Sequence, residues 1–284
     1  MHRWSRVHGS KSLGGADLSL HTTETYDVSF AVGVSACENW EDVTNALVWM
    51  AGGGVCAAAG VYAYGAAAHA SQVFGRTIRE TGISDAVALT FDDGPNPAIT
   101  PALLDLLEQY GAKATFFVIG SRVRAFPDLA SEAVKRGHTM GNHTETHPRL
   151  TLCSPQRTRE ELGRCDEAIG EATGVSVRWM RPPYGYRSPW LDGIARERGE
   201  EIVMWNVVAR DWATQDTQNI IQRLRGTRGG DIVLLHDGNH RVFKGERRHV
   251  LRALEYWLPR WKDSGIRFLS MDQVQASSEA NAIP

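Results

Sequence analysis

The stretch Ala86-Val87-Ala88-Leu89-Thr90-Phe91-Asp92-Asp93-Gly94-Pro95-Asn96 decides how the rest of the chain reads. Its first half is an apolar run of the length of a buried strand; its second half is two adjacent carboxylates and a Gly-Pro turn. A strand that presents two acids at its tip puts reactive groups where α/β folds keep them, at the carboxyl ends of parallel strands. Neighbouring carboxylates repel, and both stay charged only with a cation or an arginine close by.

Working outward, Asn142-His143-Thr144-Glu145-Thr146-His147 supplies two imidazoles four residues apart, which share a face if the segment is helical or tightly turned. One Asp and two His, with positions left open for water, form a ligand set suited to a divalent metal in hydrolysis. Further apolar, β-rich runs occupy 114–119, 138–142, 178–181, 201–206, 232–236 and 267–270. Between them lie amphipathic segments. One opens at Thr100-Pro101, carries the stripe Leu103, Leu104, Leu106 and Leu107, and stops at Gly111; others span 127–136, 155–173, 189–198, 217–225 and 247–261. The alternation predicts an α/β fold, a distorted (β/α) barrel of about seven parallel strands.

Four of these strands end in unusual residues. Besides Asp92-Asp93 and His143, the run at 178–181 leads into Arg181-Pro182-Pro183-Tyr184-Gly185, and that at 232–236 into His236-Asp237-Gly238. Each alone has an ordinary explanation as a turn, a chance pair or a packed histidine. A barrel would bring all four to one rim.

The segments Thr90-Phe91-Asp92-Asp93-Gly94-Pro95, His143-Thr144-Glu145-Thr146-His147, Arg181-Pro182-Pro183-Tyr184-Gly185, Asp211-Trp212 and Ile232-Val233-Leu234-Leu235-His236 resemble, in order, the motifs of the polysaccharide deacetylases, the NodB-homology domain of the family 4 carbohydrate esterases. The resemblance covers roughly 85–271. It implies a metal-dependent N-deacetylase of polysaccharides, acting on cell-envelope glycan such as peptidoglycan or a chitin-like chain; O-acetyl esterases, sugar deformylases and non-catalytic sugar-binding proteins are the alternatives on the same fold. It also implies Asp92 as general base and Asp93, His143 and His147 as ligands of one divalent ion, commonly zinc with cobalt or nickel as substitutes. Arg181 would hold Asp92, His236 would be the acid with Asp211 bonded to it, the Tyr184 N–H would meet the oxyanion, and Trp212 and Leu234 would line the acetyl slot. The chain departs from the family pattern in Val208-Ala209-Arg210-Asp211, which lacks an acid three residues before Asp211-Trp212. His240, Asp237, Asn239 and His138 read as ordinary packed or surface residues, and Arg187 as a surface charge ahead of a helix with Ser188 as its cap and Pro189 at its first position.

Composition narrows the partners. The 284 residues carry a net charge of -2 with a pI of about 6.6, which leaves no electrostatic excess for nucleic acid. Cys37, Cys56, Cys153 and Cys165 show no C-x-x-C spacing, so isolated thiols are expected, with a Cys153–Cys165 pair as the alternative. Residues 1–42 read as a poorly ordered leader. From 43 to 73 there is no Lys, Arg, Asp or Glu, long enough for a transmembrane or signal-anchor helix, with 74–84 as a linker, 85–274 as the body and 275–284 as a flexible tail. A membrane anchor of that kind would place the body outside the cytoplasm, at the cell envelope.

Overall fold

The structure, a computed structural model, describes residues 40–282. In chain order the elements are α1 (Trp40–Ala67), β1 (Ala86–Gly94), α2 (Thr100–Gln109), β2 (Ala114–Val118), α3 (Gly120–Ala125), α4 (Pro127–Lys135), β3 (Thr139–Asn142), α5 (Pro155–Thr173), β4 (Trp179–Met180), α6 (Leu191–Glu197), β5 (Glu201–Ile202), β6 (Val207–Val208), α7 (Thr217–Leu224), β7 (Ile232–His236), α8 (Arg248–Asp263), β8 (Arg267–Phe268) and α9 (Met271–Ala282). The strands form one sheet in the order β5-β4-β3-β2-β1-β7-β6, and β8 pairs with the start of β1. Every strand pairing is parallel.

The expected run at 201–206 is the place where the sheet curls. Glu201–Ile202 pairs with β4, whereas Val207–Val208 pairs with β7, so consecutive chain hands over from one end of the strand order to the other. Those two ends therefore lie within a few residues of each other, which makes the sheet a distorted barrel with short, irregular strands on that side.

β1 is buried along its whole length, as a central strand covered on both faces must be. Its alternation sorts side chains. Val87, Leu89 and Phe91 pack outward with Leu103, Leu104 and Leu107 of α2 and Leu254 and Leu258 of α8. Ala88 faces the interior with Phe117, Trp179, Met204 and Leu234. Helix starts follow the sequence signals: Pro127 opens α4, and Pro155 opens α5 behind Ser154, whose side chain accepts the Arg157 N–H at 3.1 Å, a cap worth about 1 kcal/mol. Gly111, at φ 64, stands just beyond α2 where a left-handed residue stops a helix.

Several expectations are corrected. No described helix is long and apolar enough to cross a membrane. Residues 40–67 are helical, but Gly52, Gly53, Gly54, Gly60 and many alanines dilute the apolarity that insertion requires. The linker at 74–84 is bound to the body: the Ile78 N–H donates to Ile202 O at 2.9 Å, the Met204 N–H to Ile78 O at 2.7 Å, and the Thr81 N–H to Gly230 O at 2.8 Å. The tail continues as α9 to Ala282. Arg187 is fully buried: its Nη2 donates to the carbonyls of Ala68 and Ser71 at 3.0 and 2.8 Å, and its N–H to Ala66 O at 3.0 Å. Helix α6 starts at Leu191 after Trp190, so Ser188 is not its cap. The expectation of isolated thiols, by contrast, holds for Cys56, Cys153 and Cys165, which are free. Of the leader expected over 1–42, residues 40–42 belong to α1, and 1–39, Cys37 among them, lie outside the described residues.

Candidate active site

The alternation of β1 puts Asp92 on the interior side with Ala88 and Thr90. Asp93 by the same count would face the helices. Instead it adopts φ 71 where the β1–β2 register shifts between Asp92 and Gly94, and this turns its carboxylate back into the same pocket. Both acids are buried.

They are held differently. Asp92 Oδ1 accepts from Arg181 Nη1 at 2.8 Å, and that same nitrogen donates to Thr90 Oγ1 at 2.7 Å. Arg181 is fully buried and fixed further by Val203 O at 3.1 Å, Met204 O at 2.9 Å, and the face of Phe117 at 4.2 Å. Burial pushes the Asp92 pKa up, and the Arg181 charge only partly offsets it. The net shift is therefore upward, against the lowering that the Arg181 pair alone would give. Burial also acts to raise Asp93, but hydrogen bonding from His240 and the surrounding imidazoles hold it well below the usual carboxylate range.

The chain leaves β3 and turns through Thr144 and His147 at φ 67 and 59, so the two histidines meet by tight turns and not by a helical face. His143 Nδ1 donates to Arg181 O at 2.7 Å, which leaves Nε2 with a free lone pair. The Nε2 atoms of His143 and His147 lie 3.6 and 3.2 Å from Asp93 Oδ1. Burial lowers both pKa values, to about 4 and about 3, so both rings are neutral near pH 7. One ligand atom from each of Asp93, His143 and His147 lies within 4.8 Å of the others. Asp93 Oδ1 is buried without a hydrogen-bond partner, and a buried acceptor left bare beside two imidazole lone pairs fits a cation. The donor set, two neutral imidazoles and one carboxylate, fits a divalent metal of the zinc type.

Across the cavity, β7 ends in His236. Its Nδ1 bonds Asp211 Oδ1 at 3.0 Å, and its main-chain N–H donates to Asp211 Oδ2 at 2.9 Å. Burial would lower the His236 pKa, but Asp211, with smaller help from Asp93 and Asp92, raises it to about 9. The Asp211 main chain is anchored in turn, its carbonyl accepting from Arg247 Nη1 at 2.9 Å. Trp212 is half exposed, its ring edge-on to His236 at 5.1 Å.

Asp92, Asp93, His143, His147, Tyr184, Trp212, Leu234 and His236 all line one cavity of about 490 Å³, with Arg181 and Asp211 behind its wall. The ten residues given site roles from the sequence thus gather around one cavity. Tyr184 stands at φ 61 in a turn whose own bonds use the N–H groups of Gly185 and Tyr186. His240, Asp237 and Asn239, read from the sequence as ordinary packed or surface residues, stand at the site, with His240 and Asn239 lining the cavity, and Arg247 was not singled out at all. Asp237 is buried and pushed up to about 7 by burial, and Arg247 bridges Gly238 O and Asp211 O. Arg247 carries no local signal, whereas Asp237 and His240 follow His236 closely in sequence, which was the one hint.

Comparison with known proteins agrees with this geometry. The family model described as polysaccharide deacetylase matches residues 79–203. A peptidoglycan-N-acetylglucosamine deacetylase of Bacillus cereus is 37% identical over 197 residues, 66% of this chain and 87% of that protein. A chitooligosaccharide deacetylase of a Bradyrhizobium strain is 39% identical over 199 residues, 66% of this chain and 90% of that one. Among solved structures, a peptidoglycan N-acetylglucosamine deacetylase superposes with a TM-score of 0.64 at 30% identity, covering 68% of this chain and 90% of its own. A pseudoenzyme of the same esterase family from Bacillus anthracis superposes with a TM-score of 0.62 at 26% identity, covering 70% and 69%. With such identity over most of the length of the curated relatives, this chain belongs to the polysaccharide deacetylase family.

Proposed function

We propose that the protein is a metal-dependent hydrolase that removes acetyl groups from N-acetylated sugars of a cell-envelope glycan, peptidoglycan first and chitin-like chains second. The observation that carries this reading is the division of labour around one cavity: a bare Asp93 oxygen between two neutral imidazoles, a second carboxylate tied to Arg181, and a protonated imidazole opposite.

Asp93, His143 and His147 would hold the ion, zinc in the first place with cobalt or nickel as substitutes; bound there, it supplies Lewis-acid polarisation and makes water more acidic. Asp92 is the general base. Its Oδ1 is occupied by Arg181, so the other oxygen takes the proton of the attacking water as the new C–O bond forms. An upward-shifted carboxylate is the better acceptor for that proton. The Tyr184 N–H is the donor to the oxyanion that develops at the carbonyl. The C–N bond then breaks, and the amine leaves only with a proton, which His236 gives from Nε2 while Asp211 holds Nδ1. Acetate and a free amino sugar result. Leu234 and Trp212 form the apolar slot for the acetyl methyl, where one extra methylene would be worth about 1–3 kcal/mol of discrimination.

The likeness to a pseudoenzyme leaves the non-catalytic reading to be weighed by residues, and the complete set of base, acid and ligands weighs against it. The chitooligosaccharide relative supports the second substrate; O-acetylated xylan and formylated sugars remain the alternatives. Peptidoglycan lies outside the cytoplasmic membrane, and we place the catalytic body there. Acetate release from peptidoglycan, chitooligosaccharides and acetylated xylan tests the assignment: release from the first two supports N-deacetylation, release from xylan alone overturns it, and sugar binding without acetate from any supports the binding protein.

A further inference from the structure

His143 and His147 approach the same oxygen, yet their rings are held by different means. The bond from His143 Nδ1 to Arg181 O sets both its tautomer and its ring plane, as second contacts of metal-binding histidines ordinarily do. His147 has no such bond: its Nδ1 is buried and unpartnered. An imidazole without a polar second contact keeps its orientation only by packing.

That packing comes from His240. Its ring lies 4.3 Å from that of His147 at an interplanar angle of 15°, a face-to-face stack. Tyr184 and His143 meet His147 edge-on, at 4.6 Å and 69° and at 4.9 Å and 63°. The His240 main-chain N–H donates to Asp93 Oδ2 at 3.2 Å, with the ring Nδ1 3.5 Å from the same oxygen, so that Oδ2 is occupied and Oδ1 is left toward the imidazoles. The His240 ring is steadied in turn by Tyr184, with Nε2 at 3.3 Å from Tyr184 Oη. Among the described residues the one group of three ligand atoms close enough to share an ion is Asp93, His143 and His147, so His240 lies outside the ligand set.

We propose that His240 is a positioning residue of the metal centre: its ring face fixes the plane of His147, and its main chain aims Asp93. The proposal rests on the reading of Asp93, His143 and His147 as ligands. It gives a role to the residue just past the His236 segment that its sequence alone does not suggest.

The test compares the full chain with His240→Ala and His240→Phe, each checked for folding by circular dichroism. Zinc affinity is measured by competition with a chromophoric chelator, and the cobalt-loaded proteins are compared by visible absorption. His240→Ala is expected to bind zinc about tenfold or more weakly and to shift the cobalt bands, whereas His240→Phe, which keeps a flat ring and the main-chain N–H, stays within about threefold of the wild type. Equal affinity and spectrum for His240→Ala overturn the proposal. A loss in His240→Phe as large as in His240→Ala also overturns it, because the ring nitrogens would then matter and not the ring face. A wild-type chain that binds neither ion fails differently: it removes the ligand assignment itself.

Discussion

On one side of the cavity His143 and His147 are pushed down to about 4 and about 3; on the other, His236 is pushed up to about 9. All three are largely withdrawn from water, and all three have a carboxylate near. The difference lies in how the carboxylate is used. Asp93 is shared between two rings that approach it with bare nitrogens, and burial decides in favour of the neutral form. Asp211 belongs to His236 alone, bonded to both its ring and its main chain, and the carboxylate outweighs burial. One residue type thereby becomes a pair of ligands and an acid within a single cavity.

The contrast can be broken most severely at the base. Asp92→Asn should lower turnover by about 10³- to 10⁴-fold while metal content is unchanged, since the carboxylate that is lost is not a ligand. Acetate release with metal analysis checks this, and a near-normal rate would remove Asp92 from its role. His236→Ala should cost about 10²- to 10³-fold on acetamide substrates but far less on activated acetyl esters, whose leaving groups need no proton. Equal losses on both would end the acid assignment.

Asp211→Asn attacks the difference itself. His236 should then titrate closer to the usual imidazole value of about 6.5, so the alkaline limb of the rate profile, set near 9 in the native protein, should move down by a unit or more. A profile that stays in place would show that Asp211 does not hold the proton. The smallest effect is on stability without metal. His143 and His147 have folded values below that of the unfolded chain, so their contribution is present above about 6.5 and is lost as pH falls toward 4 and 3. His236 has the opposite sign: its contribution is full below about 6.5 and lost as pH rises through about 9. Unfolding free energies of the chelated protein from urea titrations across this range should fall at both ends by up to a few kcal/mol per group, roughly 1.4 kcal/mol for each pH unit by which the folded value is displaced, and His236→Ala should flatten only the alkaline end.

What could be read from the sequence was whatever local chemistry marks. Proline and serine at helix starts placed α4 and α5 within a residue or so, and the unbroken apolar run of β1 gave the central strand. Asp92, Asp93, His143, Arg181 and His236 were legible because they stand at or just past the end of such a run, whereas Asp211, Trp212, Tyr184 and Leu234 were reached only through the family resemblance. Long-range partnership was not. The hand-over from β5 to β6 depends on β4 and β7 standing far apart in the strand order, each next to one of its ends, which no stretch of eight residues encodes. Arg187 looks like any solvated arginine until the turn just past α1 offers the carbonyls of Ala68 and Ser71, and His240 looks like any loop histidine until His147 lies beneath it. The upward shift of Asp92 is illegible there for a related reason, because its pairing with Arg181 shows in a motif and the depth of burial does not.

The place of β1 between β2 and β7 bears on how the molecule comes into being. Thr90 Oγ1 donates to Val233 O, 143 residues away, so the centre of the sheet is emitted from the ribosome long before its second neighbour exists. Until then one edge of the strand carrying Asp92 and Asp93 stays open, and the nascent polymer must be shielded from self-association while synthesis runs on to Ile232–His236. A product released early, short of that strand, would hold every metal ligand yet lack both the acid and the partner that closes its spine.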